Sequence, residues 1–196
     1  MLTFAAAFFL AILSPGPGVL SIAGVGAAYG FKAGFRYMTG LFIGTNLVGL
    51  AVVTGVAAVI LASPVIRTVL FAASTCYLLY LAARIAFAGS KIAFINAKKQ
   101  PGIKEGLLLQ AVNPKAYVVN TLFITGFAFM PNALTMEIIL KFLIMNAIWI
   151  PIHMLWLWAG GAVKRLELAD HVQRRINFAM SGSMLLVVGL AAFSSL

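Results

Sequence analysis

Two short stretches carry residue types able to do chemistry inside an otherwise apolar chain: Ser14-Pro15-Gly16-Pro17-Gly18 and Asn113-Pro114-Lys115. The first lies in a run from Met1 to Phe31 that holds no acidic or basic residue before Lys32. About 20 apolar residues are enough for a helix to cross a bilayer, yet two prolines and two glycines interrupt this run. Pro15 and Pro17 have no N–H to donate, so the carbonyls of Ala11 and Leu13 lose their helical partners. Gly16 and Gly18 accept dihedrals that other residues resist. Unpaired backbone groups in hydrocarbon are costly, so such a break survives only where protein, water or a ligand satisfies it. It is either a packing kink or a binding site made from a broken helix.

Asn113-Pro114-Lys115 repeats the device. Pro114 is expected to free the carbonyl of Gln110. Lys115 lies about 15 Å into its apolar segment at the helical rise. An ionisable residue at that depth is a site candidate by default, with snorkelling to the interface as the alternative. His153 is the only histidine inside an apolar segment, either a satisfied core residue or a titrating, ligand-binding one. Asn46, Gln110, Asn113 and Asn120 also lie in apolar segments, where each amide needs a cross-helix partner or a ligand.

Absences exclude other chemistry. The four acids, Glu105, Glu137, Glu167 and Asp170, fall in loops or at segment ends. That leaves no carboxylate cluster for acid–base catalysis or a metal cage. Asp170 and His171 are neighbours that diverge on a helix, so they imply no triad. Cys76 is the only cysteine, so no internal disulfide and no paired-cysteine redox or zinc site can form. No catalytic residue, metal or cofactor is expected.

The elements that position these residues are set by composition. The chain has 196 residues, 63% hydrophobic and 9% charged, with a mean hydropathy of +1.06. Soluble domains carry about 25% charged residues, so an all-α, polytopic membrane protein is expected, forming one membrane domain over residues 1–196. Six apolar segments lie at about Leu2–Tyr29, Tyr37–Ala62, Thr68–Ala88, Gly106–Met130, Leu134–Gly161 and Phe178–Phe193. No basic residue precedes the first, which is therefore expected to stay as a membrane helix and not to be cleaved as a signal. The net charge of +10 does not indicate nucleic acid, because the basic residues cap apolar runs and do not share a face with aromatics.

Their distribution sets topology. The connections Gly30–Arg36, Gly89–Glu105 and Ala162–Asn177 hold two, four and four Lys or Arg residues. Ser63–Arg67 holds one, and the Pro131–Asn132 turn holds none unless Lys141 is counted. This alternation places the three basic loops in the cytoplasm and both termini outside it. Three segments precede the basic loop 90–105 and three follow, so halves at about 1–89 and 106–196 would be inverted repeats. The two proline interruptions occupy the first segment of each half. Paired interruptions of this kind point to a transporter substrate site at the repeat interface.

The expected substrate residues are Pro15, Gly16, Pro17, Gly18, Asn113, Pro114 and Lys115, with Lys115 and His153 as candidates for proton coupling. A helix restarting at Pro17 would aim the N–H groups of Gly18 to Leu20 at a substrate carboxylate. The carbonyls of Ala11, Leu13 and Gln110 would take its ammonium. With no acid inside a segment to balance a cationic side chain, the substrate is expected to be a net-neutral zwitterion. Gly40-x-x-x-Gly44, with Ala51-x-x-x-Gly55 beyond it, is a small-residue stripe for close packing, within the chain or in a homodimer. Tyr77, Tyr80, Trp149, Trp156 and Trp158 read as interfacial anchors, and Arg84 as a residue snorkelling to the cytoplasmic interface.

Taken together, Ser14–Gly18, Gly30-Phe-Lys-Ala-Gly34-Phe-Arg36, Tyr77-Leu-Leu-Tyr-Leu81, Gly106–Ala116 with its Asn-Pro-Lys-Ala ending, and the closing Arg175–Leu190 run resemble the LysE/RhtB family of amino-acid exporters. The resemblance runs through the whole chain in order. It implies a bacterial inner-membrane exporter of amino acids or their relatives, driven by proton exchange. Gly18 stands where the family usually has Asn, which removes an amide from the first motif. Thr45 and Asn46 stand where many members carry Asp or His, which removes a proton-carrying group. The rival readings are a non-transporting membrane assembly or scaffold protein, and a six-span thiol–disulfide electron carrier, which would need two cysteines.

The topology has a direct check. Reporter fusions after Gln100 and after Asp170 are expected to be cytoplasmic, and a fusion at the C-terminus to face outward. A cytoplasmic C-terminus would mean that a span is miscounted or the protein inverted.

Overall fold

Proline, glycine and serine set the helix ends. A computed structural model describes residues 1–13, 16–87, 100–165 and 169–193, and its described secondary structure is entirely helical. The helices are α1 (Leu2–Leu13), α2 (Pro17–Tyr29), α3 (Phe31–Val53), α4 (Val56–Ala62), α5 (Pro64–Ala86), α6 (Ile103–Val112), α7 (Pro114–Gly126), α8 (Leu134–Arg165) and α9 (Asp170–Phe193). Pro17, Pro64 and Pro114 each open a helix, where a missing N–H is harmless and the fixed φ suits the first turn. Ser63 caps α5 by accepting from the Ile66 N–H at 3.3 Å. Glu105 Oε2 accepts from the Gly102 N–H at 2.8 Å at the start of α6.

Among the described residues three helical stretches, α3, α5 and Leu134–Ala162 of α8, are long and apolar enough to cross a membrane. The pair α1 and α2, bent by 53°, makes a fourth if counted as one span. The break at Asn113 divides the next expected segment into helices of 10 and 13 residues, each shorter than the ~20 needed alone.

Several boundaries differ from the sequence expectation. Gly30, at φ 88°, is the whole turn between α2 and α3, so Lys32 and Arg36 stand on the first turns of α3 and not in a loop. Gly55, at φ 78°, ends α3 as a left-handed residue, and its N–H bonds to the Val52 carbonyl at 3.1 Å. A single glycine can take that conformation without a Cβ penalty, so it interrupts the second segment and does not extend the packing stripe. The basic stretch after α8 is likewise mostly helical, since α8 runs to Arg165 and α9 starts at Asp170.

Two glycine-lined crossings hold the helices together. A Cβ on Gly160 of α8 would strike the Ala23 carbonyl of α2, and one on Gly26 would lie 3.1 Å from the Leu157 carbonyl. Between α3 and α6 the same device recurs: a Cβ on Gly40 would strike the Ile103 carbonyl, and one on Gly106 the Tyr37 carbonyl. Gly44 faces Gln110, where a Cβ would lie 2.6 Å from that side chain. Gly40 and Gly44 thus pack inside the chain. Around the crossings lie two apolar clusters, one including Ile22, Tyr37, Leu41, Leu81 and Leu157, the other Phe4, Phe8, Phe123 and Met145.

Arg84 does not snorkel. It is 2% exposed, because α5 packs against both α2 and α9, which closes its route to the interface. Its Nη1 donates to the Tyr80 hydroxyl at 3.3 Å, and the guanidinium carbon lies 5.5 Å from the Tyr80 ring centre. At the other end of the bundle, Glu137 and Lys141 pair at 2.7 Å while both are buried. Glu137 also accepts from the N–H groups of Phe129 and Met130, and Lys141 donates to the Ile124 carbonyl at 2.7 Å. The pair closes the connection between α7 and α8.

Substitutions at the crossings should therefore be costly. Gly160→Val and Gly106→Val are expected to destabilise by at least the ~1–3 kcal/mol typical of overpacking, because the obstacle is backbone. Gly182→Ala, with nothing within 4 Å among the described residues, should cost no stability. Thermal unfolding in detergent measures both.

Candidate functional site

The two helix breaks meet. Gly16 precedes α2 in extended conformation, at φ −137° and ψ −179°, which leaves Pro17 free to start the helix. The Leu20 N–H bonds to the Gly16 carbonyl at 3.0 Å, so of the three donors expected to face the break only Gly18 and Val19 remain. Among the described residues no side chain caps them. The Ser21 hydroxyl donates to the Gly18 carbonyl at 2.7 Å. Ser14 and Pro15 lie outside the described residues.

The second break is closed by its own side chains. Asn113 caps α7: its Oδ1 accepts from the Lys115 N–H at 3.1 Å, and its Nδ2 donates to Gln110 Oε1 at 3.0 Å. The Asn113 N–H reaches the Gln110 carbonyl at 3.3 Å, so that carbonyl is not left free as the proline alone suggested. The Tyr117 hydroxyl donates to the Ala111 carbonyl at 2.9 Å, replacing the backbone donor that Asn113 has taken.

Lys115 crosses from the second break to the first. A Cβ on Gly16 would lie 2.9 Å from its Nζ and 3.1 Å from its Cδ. The side chain is half-buried. Its ammonium therefore sits between the N-terminal ends of α2 and α7, each of which carries a partial positive charge. That convergence makes the place electropositive and suited to a carboxylate.

A partly open cleft lies here, between the two breaks. Its polar lining includes Thr45, Gln110, Asn113, Lys115, Asn120 and His153, besides the Gly16–Val19 backbone. Its apolar walls include Phe8, Ile12, Val119, Met145 and Trp149. No carboxylate or cysteine is among the lining residues. Of the residues expected at the site, Gly16, Pro17, Gly18, Asn113, Lys115 and His153 share this cavity, while Pro114 stands behind it as the first residue of α7.

His153 is buried, with Nδ1 2.8 Å from the Trp149 carbonyl. A carbonyl only accepts, so Nδ1 carries the proton and Nε2 is the nitrogen left to accept. The ring stacks on Trp149, with centres 3.5 Å apart. Trp149 is thus a buried cavity wall and not an interfacial anchor; it also meets Phe42 at 5.7 Å. Asn120 Nδ2 donates to the Ala116 carbonyl at 2.8 Å and reaches Thr45 Oγ1 at 3.5 Å.

Sequence reasoning passed over Phe8 and Met145 and took Trp149 for an interfacial anchor, because a largely apolar side chain in an apolar helix carries no mark of which way it faces. The same reasoning passed over Asn146, although an amide in the middle of α8 is a usable signal. It exchanges hydrogen bonds with Asn46 at 3.1 and 2.9 Å, joining α8 to α3.

Broken helices that converge on a half-polar cleft, in a chain with several apolar spans, define a membrane transport protein. A family model described as LysE type translocator matches residues 9–195, and the chain belongs to that family of transporters, which are not enzymes. The leucine efflux protein of Enterobacter sp. (strain 638) is 29% identical, over 97% of this chain and 92% of its own length. The leucine efflux protein of Klebsiella pneumoniae is 30% identical, over 74% of this chain and 77% of its own. No solved structure matches the chain.

The contact at Gly16 can be tested by bulk. Gly16→Val should push the Lys115 ammonium out of the cleft and weaken ligand binding roughly tenfold, the scale of one lost charge-assisted bond. Gly182→Ala, on α9 and outside the cavity lining, should bind normally. Equilibrium binding of a labelled amino acid to purified protein separates the two.

Proposed function

We propose that this protein exports a small neutral amino acid, or a derivative of one, across the bacterial inner membrane in exchange for a proton. The observation that carries the reading is the Lys115 ammonium lying against Gly16, where two helix breaks meet. The substrate carboxylate takes the Gly18 and Val19 N–H groups and Lys115. Its ammonium takes the carbonyls of Ala11 and Leu13, which Pro15 and Pro17 cannot serve. Its side chain lies on Phe8, Ile12, Val119, Met145 and Trp149, a wall suited to an aliphatic cargo such as the leucine for which the relatives are named. A cationic side chain would meet no counter-charge in the lining.

The arrangement we infer is six transmembrane helices forming two inverted three-helix repeats, with both termini outside the cytoplasm. Two features support it. The first span of each half packs most heavily on the second span of the other half, α2 on α8 and α6 on α3. Both crossings use glycine against backbone carbonyl. Alternating access then follows as a rocking of the halves about the cleft. Lys115 is the proton carrier of first choice, since a buried lysine gives up its proton readily, and His153 Nε2 is the second. A scaffold protein would need no such cleft. An electron carrier would need a second cysteine beside Cys76, which is exposed.

Efflux from cells loaded with leucine-containing dipeptide tests the reading. Lys115→Met should abolish export or uncouple it from the proton gradient, and Pro17→Ala and Pro114→Ala should impair it at normal membrane abundance. Wild-type export by Lys115→Met would remove that residue from the site, and lysine or arginine as the main cargo would overturn the substrate class.

A further inference from the structure

The cleft has a neighbour. A second cavity, closed in this conformation to little more than the room of one water, shares Phe8, Thr45, Asn120, Met145 and Trp149 with it and adds Asn46, Phe142 and Asn146. Along α8, Phe142 and Asn146 lie nearer Leu134 than Trp149 and His153 do. The charge alternation puts that end of α8 outside. An exported molecule leaving the cleft on this side meets the second cavity next, before the aromatic seal where Phe4 packs on Phe123, Phe127 and Phe129.

This cavity is polar without being charged. Asn46 Nδ2 donates to Asn146 Oδ1 at 3.1 Å, and Asn146 Nδ2 donates to Asn46 Oδ1 at 2.9 Å. Asn46 Nδ2 is also 2.8 Å from the Phe42 carbonyl. Two amides so joined each offer one donor and one acceptor to the other. An amino-acid zwitterion offers the same pairing, because its carboxylate accepts from an amide Nδ2 and its ammonium donates to an amide Oδ1. Beside the pair, the Thr45 hydroxyl and the Asn120 amide supply further neutral donors and acceptors. Neutral partners can exchange with such a molecule without stranding a charge, which suits a passage site better than a resting one.

We propose that Thr45, Asn46, Asn120 and Asn146 form a second, outer subsite for an α-amino-acid zwitterion. The Asn46–Asn146 pair closes it in this conformation, and the passing substrate replaces the amides' bonds to each other. The proposal rests on the cleft being the substrate site of an exporter. It separates binding from passage, since the cleft holds the cargo and the amide pair lets it out.

The test uses purified full-length protein in liposomes, with labelled leucine as the probe. Asn46→Leu and Asn146→Leu keep side-chain shape but cannot bond a zwitterion. Each should bind leucine at equilibrium as the wild type does, while exchange of labelled leucine across the membrane falls roughly tenfold or more. Wild-type exchange rates, or parallel loss of binding and exchange, would overturn the subsite. If a leucine variant fails to insert, Asn146→Cys on a Cys76→Ser background gives the second readout. Saturating leucine should slow its modification by a methanethiosulfonate, and an unchanged rate would overturn the proposal. A wild-type protein that exchanges no neutral amino acid would instead sink the export reading itself.

Discussion

The closeness of Lys115 to Gly16 depends on a balance between repulsion and packing. An ammonium and two helix N-termini converge there, and like partial charges disfavour one another. The glycine crossings hold them in place. At Gly160 of the α2–α8 crossing and at Gly40 and Gly106 of the α3–α6 crossing backbone meets backbone, and the two breaks adjoin these pairs. Packing of this kind, summed over many atoms, is what keeps an electropositive cleft from relaxing apart. Helix N-termini and an ammonium together favour an anion, which is the physical basis of the proposed carboxylate site.

The two breaks are unequal. Asn113, Gln110 and Tyr117 serve the backbone groups around the second one from within the protein. At the first, the described bonds are local, from Leu20 to Gly16 and from Ser21 to Gly18, and no side-chain cap is found among the described residues. In a medium without water an uncapped helix start is expensive. The second break is thus a platform that aims Lys115 and is closed from within the protein, and the first is the one that the proposed substrate carboxylate would complete.

Polar groups at the two ends of the bundle behave differently again. Glu137 and Lys141 satisfy each other and three backbone groups, so that end is closed by a completed network. Arg84 is buried with Nε and Nη2 lacking partners among the described residues. A desolvated guanidinium that is only partly bonded is costly, so the packing of α9 over α5 works against an opposing term there. The end near Arg84 is the less settled of the two in this conformation.

The helix breaks at Pro17 and Pro114 and the several apolar helices were legible in the sequence because each follows from a local property. Proline lacks a donor wherever it stands, and a charge at the end of an apolar run means the same in any packing. The small-residue stripe was legible in part: Gly40 and Gly44 pack, whereas Gly55 turns the chain, and only its φ of 78° tells these apart. The burial of Arg84, the turn of Trp149 into the cavity, the bond that claims the Gln110 carbonyl and the pairing of Asn46 with Asn146 were decided by tertiary structure alone. Each depends on which face of one helix meets which face of another. In a chain apolar on nearly every face, hydrophobic periodicity loses its contrast, and the direction of a side chain is set by glycine contacts between residues far apart in the sequence.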